Sequence, residues 1–343
     1  MTIRRIGVAT ALIGAVAALA LGAGAGANST TADRATATPF IVLVTDINQL
    51  NDHGFNELAY HGLLRAEKQL GVKGAVYQSP SAADYIPNLA TAARKNADLV
   101  ISVGFDQAVA VAKVAKQFPK THFAIIDVDQ TTLAGKPKNV EGLIFREQEV
   151  GYLAGYLAGL VEKAKGGTAT IGSVGGQKQP PVDRYIAGYR AGAQKADPGI
   201  KLLNTYSQDW VDLAKCKQAA LDQISAGATI VFQVAGGCGL GALDAAKEKG
   251  VWGIGVDADQ SYLGAEVLTS AMKRVDNSVF ATIKQVIGGA FAGGTNAVFS
   301  LKNGGVGLGK ISPKVPKSAV TKVQQIAKQI ATGKITNIPT TVG

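Results

Sequence analysis

The sequence predicts an α/β protein of two doubly wound lobes, each built on a parallel sheet. Three observations carry that expectation. From residue 40 onward, short apolar runs of strand length alternate with stretches of helical period. The alternation restarts near residue 146. The chain has 343 residues, 47% of them hydrophobic, which is more than one sheet and its helices usually enclose.

The elements follow in order. Phe40 to Thr45 (FIVLVT) reads as a strand, followed by an amphipathic helix from about Asn56 to Leu70. Ala75 to Tyr77 leads to a helix through Asn88 to Lys95. Leu99 to Val103 leads to a helix over Gln107 to Phe118, and His122 to Asp127 is a further strand. Strand, helix and strand at this cadence mean parallel strands with crossover helices. The second block opens with a long helix, Glu147 to Lys163, whose Gly151, Gly155 and Gly159 form a small-residue face for close packing. Strands at Thr170–Val174, Lys201–Tyr206, Thr229–Val234 and Val251–Val256 alternate with helices at Val182–Lys195, Leu213–Ala226 and Leu240–Lys249. Two further helices, near Asn277–Ile287 and Ala319–Ile330, are too little for a third domain. The tail is therefore expected to cross back between lobes, giving 39–145 with about 270–300 as one lobe and 146–269 with about 301–343 as the other.

The first residues stand apart from this fold. Arg4-Arg5, the apolar run Ile6 to Leu21 and the Gly/Ala stretch to Ala27 have the order of a cleavable secretory signal, 1–27, with cleavage after Ala25 or Ala27. The run is shorter than the roughly 20 residues of a membrane span. Residues 28–38 (NSTTADRATAT) read as a polar tether, and no cysteine stands near for lipid attachment. The expectation is an exported periplasmic protein. Without Arg4 and Arg5 the formal charge falls from +10 to about +8. The basic residues are scattered, with no run of five, so no nucleic-acid partner is expected.

In open parallel sheets, ligands bind beyond the carboxyl ends of the strands. Those ends carry Asp46, Gly104-Phe105-Asp106, Asp127 and Asp129, Gly175-Gly176, Gln208-Asp209-Trp210, Gly236-Gly237, and Asp257 with Asp259. Turn chemistry accounts for glycines and some acids. It does not call for Phe55, Phe105 and Trp210, since aromatics in such loops usually stack on something. Bland roles remain for several of these side chains: Asp106 as a helix cap, Asp46 as an organiser of its loop, Phe55 as a hydrophobic staple, Lys273 as a solvated lysine. Gly237-Cys-Gly239-Leu-Gly-Ala242 fits the dinucleotide fingerprint, with Asp257 ending the next strand as its diol-gripping acid. The motif lies deep in the second block and nicotinamide cofactors are not expected outside the cytoplasm, so no cofactor follows from it. A carboxylate that can take a vicinal diol does. Three scattered histidines, His53, His61 and His122, without a Cys/His cluster, give no metal site.

Several stretches read together: TDINQLNDHGFN at 45–56, VGFDQ at 103–107, FREQEVGYLAG at 145–155, GGQKQPPVDRYIAGYRAG at 175–192, VAGGCGLGALDAA at 234–246, GVDADQ at 255–260, LTSAMKRVD at 268–276 and NGGVGLG at 303–309. In order and spacing they resemble the basic membrane protein family, substrate-binding proteins of ABC importers that include nucleoside receptors. The resemblance runs from about residue 39 to the end. It implies a type I periplasmic-binding-protein fold, two lobes joined by a hinge of three crossings. It also implies a nucleoside in the interlobe cleft, an ABC permease with its cytoplasmic ATPase as partner, a monomer, and no enzyme activity. Carried over position by position, Phe55 stacks on the base, Asn56 and Asp106 read its edge, and Asp257 and Lys273 hold the ribose hydroxyls. Asp46 stands where the family's first strand ends. Trp210 as the second aromatic face rests on its strand-end position alone, and Gly236 is expected to bring backbone close to the ligand. Many members carry a lipidated cysteine that this sequence lacks, which favours free diffusion in the periplasm.

Cys216 falls in the first turn of its helix and Cys238 just past the following strand, both at the cleft-side edge of the sheet. A Cys216–Cys238 bridge beside the site is expected. The alternatives to a transport receptor are a nucleoside hydrolase or dehydrogenase, a ligand-sensing regulator, or a binding protein of the same fold for another ring-bearing or sugar-like ligand. For the regulator no helix-turn-helix precedes residue 39.

Overall fold

The computed structural model describes residues 38–343; the expected signal, tether and cleavage site lie outside the described residues, apart from Thr38. The first sheet takes strands β1 (Phe40–Val44), β2 (Lys73–Tyr77), β3 (Leu99–Ser102), β4 (His122–Ile126), β5 (Val140–Phe145) and β11 (Asn296–Phe299) in the order β11-β5-β4-β3-β1-β2. Every pairing is parallel. The second takes β6 (Thr170–Gly175), β7 (Lys201–Tyr206), β8 (Ile230–Val234), β9 (Trp252–Asp257), β10 (Val267–Lys273) and β12 (Val306–Leu308) in the order β12-β10-β9-β8-β6-β7. Only the β12 edge is antiparallel. The two sheets repeat one wiring, so β4 and β9 hold equivalent places, as do β5 and β10.

Burial on both faces explains why the strands read as unbroken apolar runs. Ile41 and Leu43 of β1 pack toward one side, with Ala59, Leu63 and Ala66 of α1 (Phe55–Leu70) and Val279 and Ile283 of α8 (Val275–Ile287). Val42 and Val44, one residue out of phase, pack toward the other side, with Leu89 of α2 (Tyr85–Arg94) and Val111 of α3 (Ala108–Gln117). The second sheet is covered likewise. The large core includes Tyr185 and Tyr189 of α5 (Pro180–Ala196), which pack against α4 (Glu147–Lys163). The opposite face carries α6 (Leu213–Ser225) and α7 (Gly239–Lys249).

The chain crosses between the sheets three times: after β5, after β10, and between β11 and β12. Arg146 and Arg274 stand at the first two crossings with matching backbone angles, φ −93° ψ 66° and φ −81° ψ 63°. Their N–H groups bond Phe299 O and Gly305 O, on either side of the third crossing, at 2.8 and 2.9 Å. Helix α9 (Lys317–Ala331) packs on α4. Helices α2 and α5 start earlier than their periodicity predicts. Pro87, and Pro180 with Pro181, sit in the first turn, where a missing N–H breaks no intrahelical bond.

Candidate ligand-binding site

The loop after β1 builds one wall. Asp52 is almost fully buried and works for the helix. Its Oδ1 accepts the Gly54 and Glu57 N–H groups at 3.0 and 3.1 Å, and its Oδ2 accepts that of Asn56 at 2.9 Å, covering N–H groups that a helix start leaves unpaired. Asp46 is partly exposed, toward the cavity. Its Oδ1 accepts the Asn48 N–H at 2.9 Å and the Asn56 Nδ2 at 2.7 Å, and its Oδ2 stands by Gly104. Burial, together with the nearby Asp52 and Asp106, lifts the Asp46 carboxyl to about 7 against those hydrogen bonds. Asn56, expected at a base edge, does not reach the cavity. It is fully buried, and its amide also donates to Asn48 O at 2.9 Å, so it positions Asp46 instead.

Lys273, the last residue of β10, reaches the first sheet. Its Nζ donates to both oxygens of Asp127 at 2.7 and 2.9 Å and lies 3.4 Å from Glu147 Oε1. It also stands 4.7 Å from the Phe55 ring centre. Burial by itself lowers a lysine; Asp127, Glu147 and Asp257 outweigh it and push Lys273 up to about 12. Burial raises the Asp127 carboxyl, and the ammonium opposes that. Asp257 ends β9, 7% exposed, with Tyr185 Oη donating to its Oδ1 at 3.3 Å. Burial lifts it to about 7, with Lys273 the largest opposing influence. Arg184 Nε donates to Glu147 Oε2 at 2.6 Å and completes the buried network.

The second lobe supplies the facing wall. The Trp210 ring lies on Gly176, where an added Cβ would collide with it. Its buried indole N–H makes no hydrogen bond of strict geometry but stands close enough to the Asp106 carboxyl to oppose the rise that burial gives it. Cys216 and Cys238 form a disulfide with Cα atoms 5.5 Å apart, and the Cys238 N–H donates to Trp210 O at 2.8 Å; the bridge thus braces the tryptophan's loop. Gly236, at φ +55°, packs against Asn48 of the first lobe. The fingerprint glycines serve packing: Gly239 leaves room for Gln233, and Gly241 for the backbone at Leu213.

Asp46, Phe55, Asp106, Trp210, Gly236, Asp257 and Lys273 line one cavity between the sheets, with about 550 Å³ of space free of atoms, its open mouth included. Among the other lining residues, Asn48, Asp127, Gln179 and Tyr185 bring polar side chains to which the sequence reading assigned no ligand role. Asp127 carried a visible signal, an acid at a strand end, but its partner lies 146 positions away. Gln179 donates to Asp106 Oδ1 across the cavity at 2.6 Å. No local pattern announces such a contact.

The chain is 35% identical over 317 residues to the "ABC transporter nucleoside-binding protein BmpA" of Lactococcus lactis, covering 86% of this chain and 87% of that protein. It is 34% identical over 325 residues to a "CD4+ T-cell-stimulating antigen" of Listeria innocua, covering 88% and 89%. A crystal structure of an ABC-transporter solute-binding protein from Aeropyrum pernix superposes with a TM-score of 0.79 at 27% identity, covering 88% of this chain and 94% of that one. The family that the chain matches consists of ABC-transporter substrate-binding proteins, not enzymes, which disposes of the hydrolase and dehydrogenase alternatives. A small-molecule ligand, a permease–ATPase partner and a place outside the cytoplasmic membrane come with that role. Residues 41–341 match the family described as PnrA-like ABC transporter substrate-binding proteins, Bmp, and the chain belongs to that family.

Proposed function

We propose that the protein captures a nucleoside in the interlobe cleft and delivers it to its permease. The observation that carries this reading is a single cavity holding two kinds of side chain. Phe55 and Trp210 offer flat apolar faces suited to a base, and Asp257 beside Lys273 offers an acceptor and a donor suited to a ribose diol. Asp106 and the free oxygen of Asp46 accept base-edge N–H groups, with Asn56 fixing the angle of Asp46. The name of the Lactococcus lactis relative supports the same ligand class.

Asp46, Phe55 and Asp106 come from the first lobe, and Trp210, Gly236, Asp257 and Lys273 from the second. We take the lobes to be 39–145 with about 274–300 and 146–273 with about 301–343, the expected boundary near 270 moving to the end of β10 because that strand stays in the second sheet through Lys273, and the protein to act as a periplasmic monomer. A ligand touching both lobes stabilises the closed form over the open one by its differential contacts alone. Isothermal titration with adenosine, guanosine, uridine and free ribose tests the reading. At least one nucleoside is expected to bind with a Kd of about 1 μM or tighter, near −8 kcal/mol, and ribose far more weakly. Heat from none of the four removes the nucleoside from the account.

A further inference from the structure

Among the described residues, no cationic side chain facing the cavity is free for an anion. Among the described residues lining the cavity, Lys273 is the one cationic side chain, against the carboxylates of Asp46, Asp106, Asp127 and Asp257. That ammonium is already held by both oxygens of Asp127 and approached by Glu147. The other cation nearby, Arg184, is engaged by Glu147.

Backbone donors are largely taken as well. Helix N-termini are ready-made phosphate sites because their first N–H groups are unpaired; at three of the ends near the cavity those groups are absent or engaged, and at the fourth, ahead of α3, the Asp106 carboxylate stands in the lining. Helix α5 begins Pro180-Pro181, two residues with no N–H to offer. The start of α1 is taken by Asp52, which accepts from Gly54, Asn56 and Glu57. At α7 the N–H groups of Gly237 to Gly241 are spent on Asn48 Oδ1 and on nearby carbonyls.

We propose that the cleft is built to refuse anions, with Asp127 as the specificity-determining residue: it neutralises Lys273 before any ligand arrives, so that nucleosides enter and their phosphate esters do not. The inference rests on the nucleoside reading of the cleft and adds a selection to it. Lys273 keeps a donor role toward a neutral hydroxyl while offering no net charge to a phosphate. Any nucleotide reaching this protein must first lose its phosphate by ester hydrolysis outside the membrane. Where a nucleotide is the source, the reaction that supplies the ligand is a phosphomonoester hydrolysis, in which water cleaves the ester and releases inorganic phosphate.

The test is paired calorimetry on the whole protein with guanosine and guanosine 5′-monophosphate, and with uridine and uridine 5′-monophosphate. Like charges brought together in a desolvated site cost several kcal/mol, so the bound nucleoside is expected to outbind its monophosphate by about 100-fold or more. Asp127→Asn is expected to narrow that ratio by about tenfold or more through a gain for the monophosphate, and Asp127→Glu to keep the wild-type ratio. If Asp127→Asn does not fold, Pro180→Ala with Pro181→Ala restores two backbone donors and is expected to narrow the ratio in the same direction. Equal wild-type affinities, or a ratio unmoved in folded variants, overturn the proposal. If no nucleoside binds, the nucleoside reading fails separately, and the small molecule released on denaturing the purified protein decides the selection. A released phosphate or carboxylate overturns it, and a neutral or cationic compound upholds it.

Discussion

Asp127 and Asp257 occupy equivalent places in the two sheets, at the carboxyl ends of β4 and β9, with φ of +71° and +62°. Aspartate tolerates that left-handed backbone better than most residues. There it turns a carboxylate over the strand end and into the cavity. One of the pair binds Lys273 directly and the other has Tyr185, so the same geometry yields a neutralised lysine and an open acceptor. Asp257 has a measurable consequence. In the unfolded chain it ionises near about 3.9 and in the native protein near 7. Between those values the folded state holds a proton that the unfolded chain has lost, so stability falls as pH climbs through that window and levels off above it. Asp46 and Glu141, lifted to about 7 by burial, add slopes of the same sign. The unliganded protein is expected to melt at a lower temperature at about pH 8 than at about pH 5, and Asp257→Asn to flatten part of that decline. Parallel melting curves for the variant and the wild type would contradict the assigned role.

At the scale of elements, the α4–α5 pair sets how the network reaches the cleft. Gly151 and Gly155 of α4 lie on the backbone of Tyr185 and Tyr189, and Gly188 and Gly192 of α5 lie on that of Gln148 and Tyr152. A Cβ at any of the four would collide with a main-chain oxygen. This contact brings Glu147 at the head of α4 to Arg184 and Tyr185 on α5. Gly155→Leu is therefore expected to destabilise by about 1–3 kcal/mol, a melting-temperature loss of roughly 2–5 °C for a chain of this length. It should also weaken ligand binding, because the ion pair moves with the helices. A scanning-calorimetry midpoint unchanged from wild type would show that the helices part without cost. The strands that periodicity passed over belong to this scale too. Strand β5 holds the buried Glu141 inside its run, and β11 and β12 have four and three residues. Such segments are strands because a neighbour supplies hydrogen bonds, and the neighbour of β11 lies about 150 positions away.

At the scale of the molecule, the lobes are tied across the cleft by the protein itself. Gln179 donates to Asp106, the Gly237 N–H approaches Asn48 Oδ1 at 3.4 Å, and Gln260 Nε2 donates to His53 O at 3.0 Å. Tyr262 Oη lies 2.9 Å from His53 Nδ1. Each of these bonds exchanges with water when the cleft opens, so together they stabilise closure only modestly. A ligand adds contacts that water replaces poorly. Small-angle X-ray scattering is expected to show a smaller radius of gyration when nucleoside is added. Superimposable curves with and without a ligand that calorimetry shows to bind would mean that capture proceeds without closure.

The α/β alternation, the restart near residue 146 and most of the strand ends are legible in the chain, because hydrophobic period and turn chemistry are local properties of it. The sequence also brought Asp46, Phe55, Asp106, Trp210, Asp257 and Lys273 to attention, since acids and aromatics at strand ends stand out against turn composition and family motifs marked the lysine. What each neighbour does depends on the folded arrangement. It turned Asn56 away from the cavity to hold Asp46, and gave Asp52 to the helix rather than to the cleft. It set Asp127 against Lys273 and Gln179 against Asp106. The last two pairings join residues 146 and 73 positions apart, where a side chain's role depends on which charge or donor the fold delivers to it.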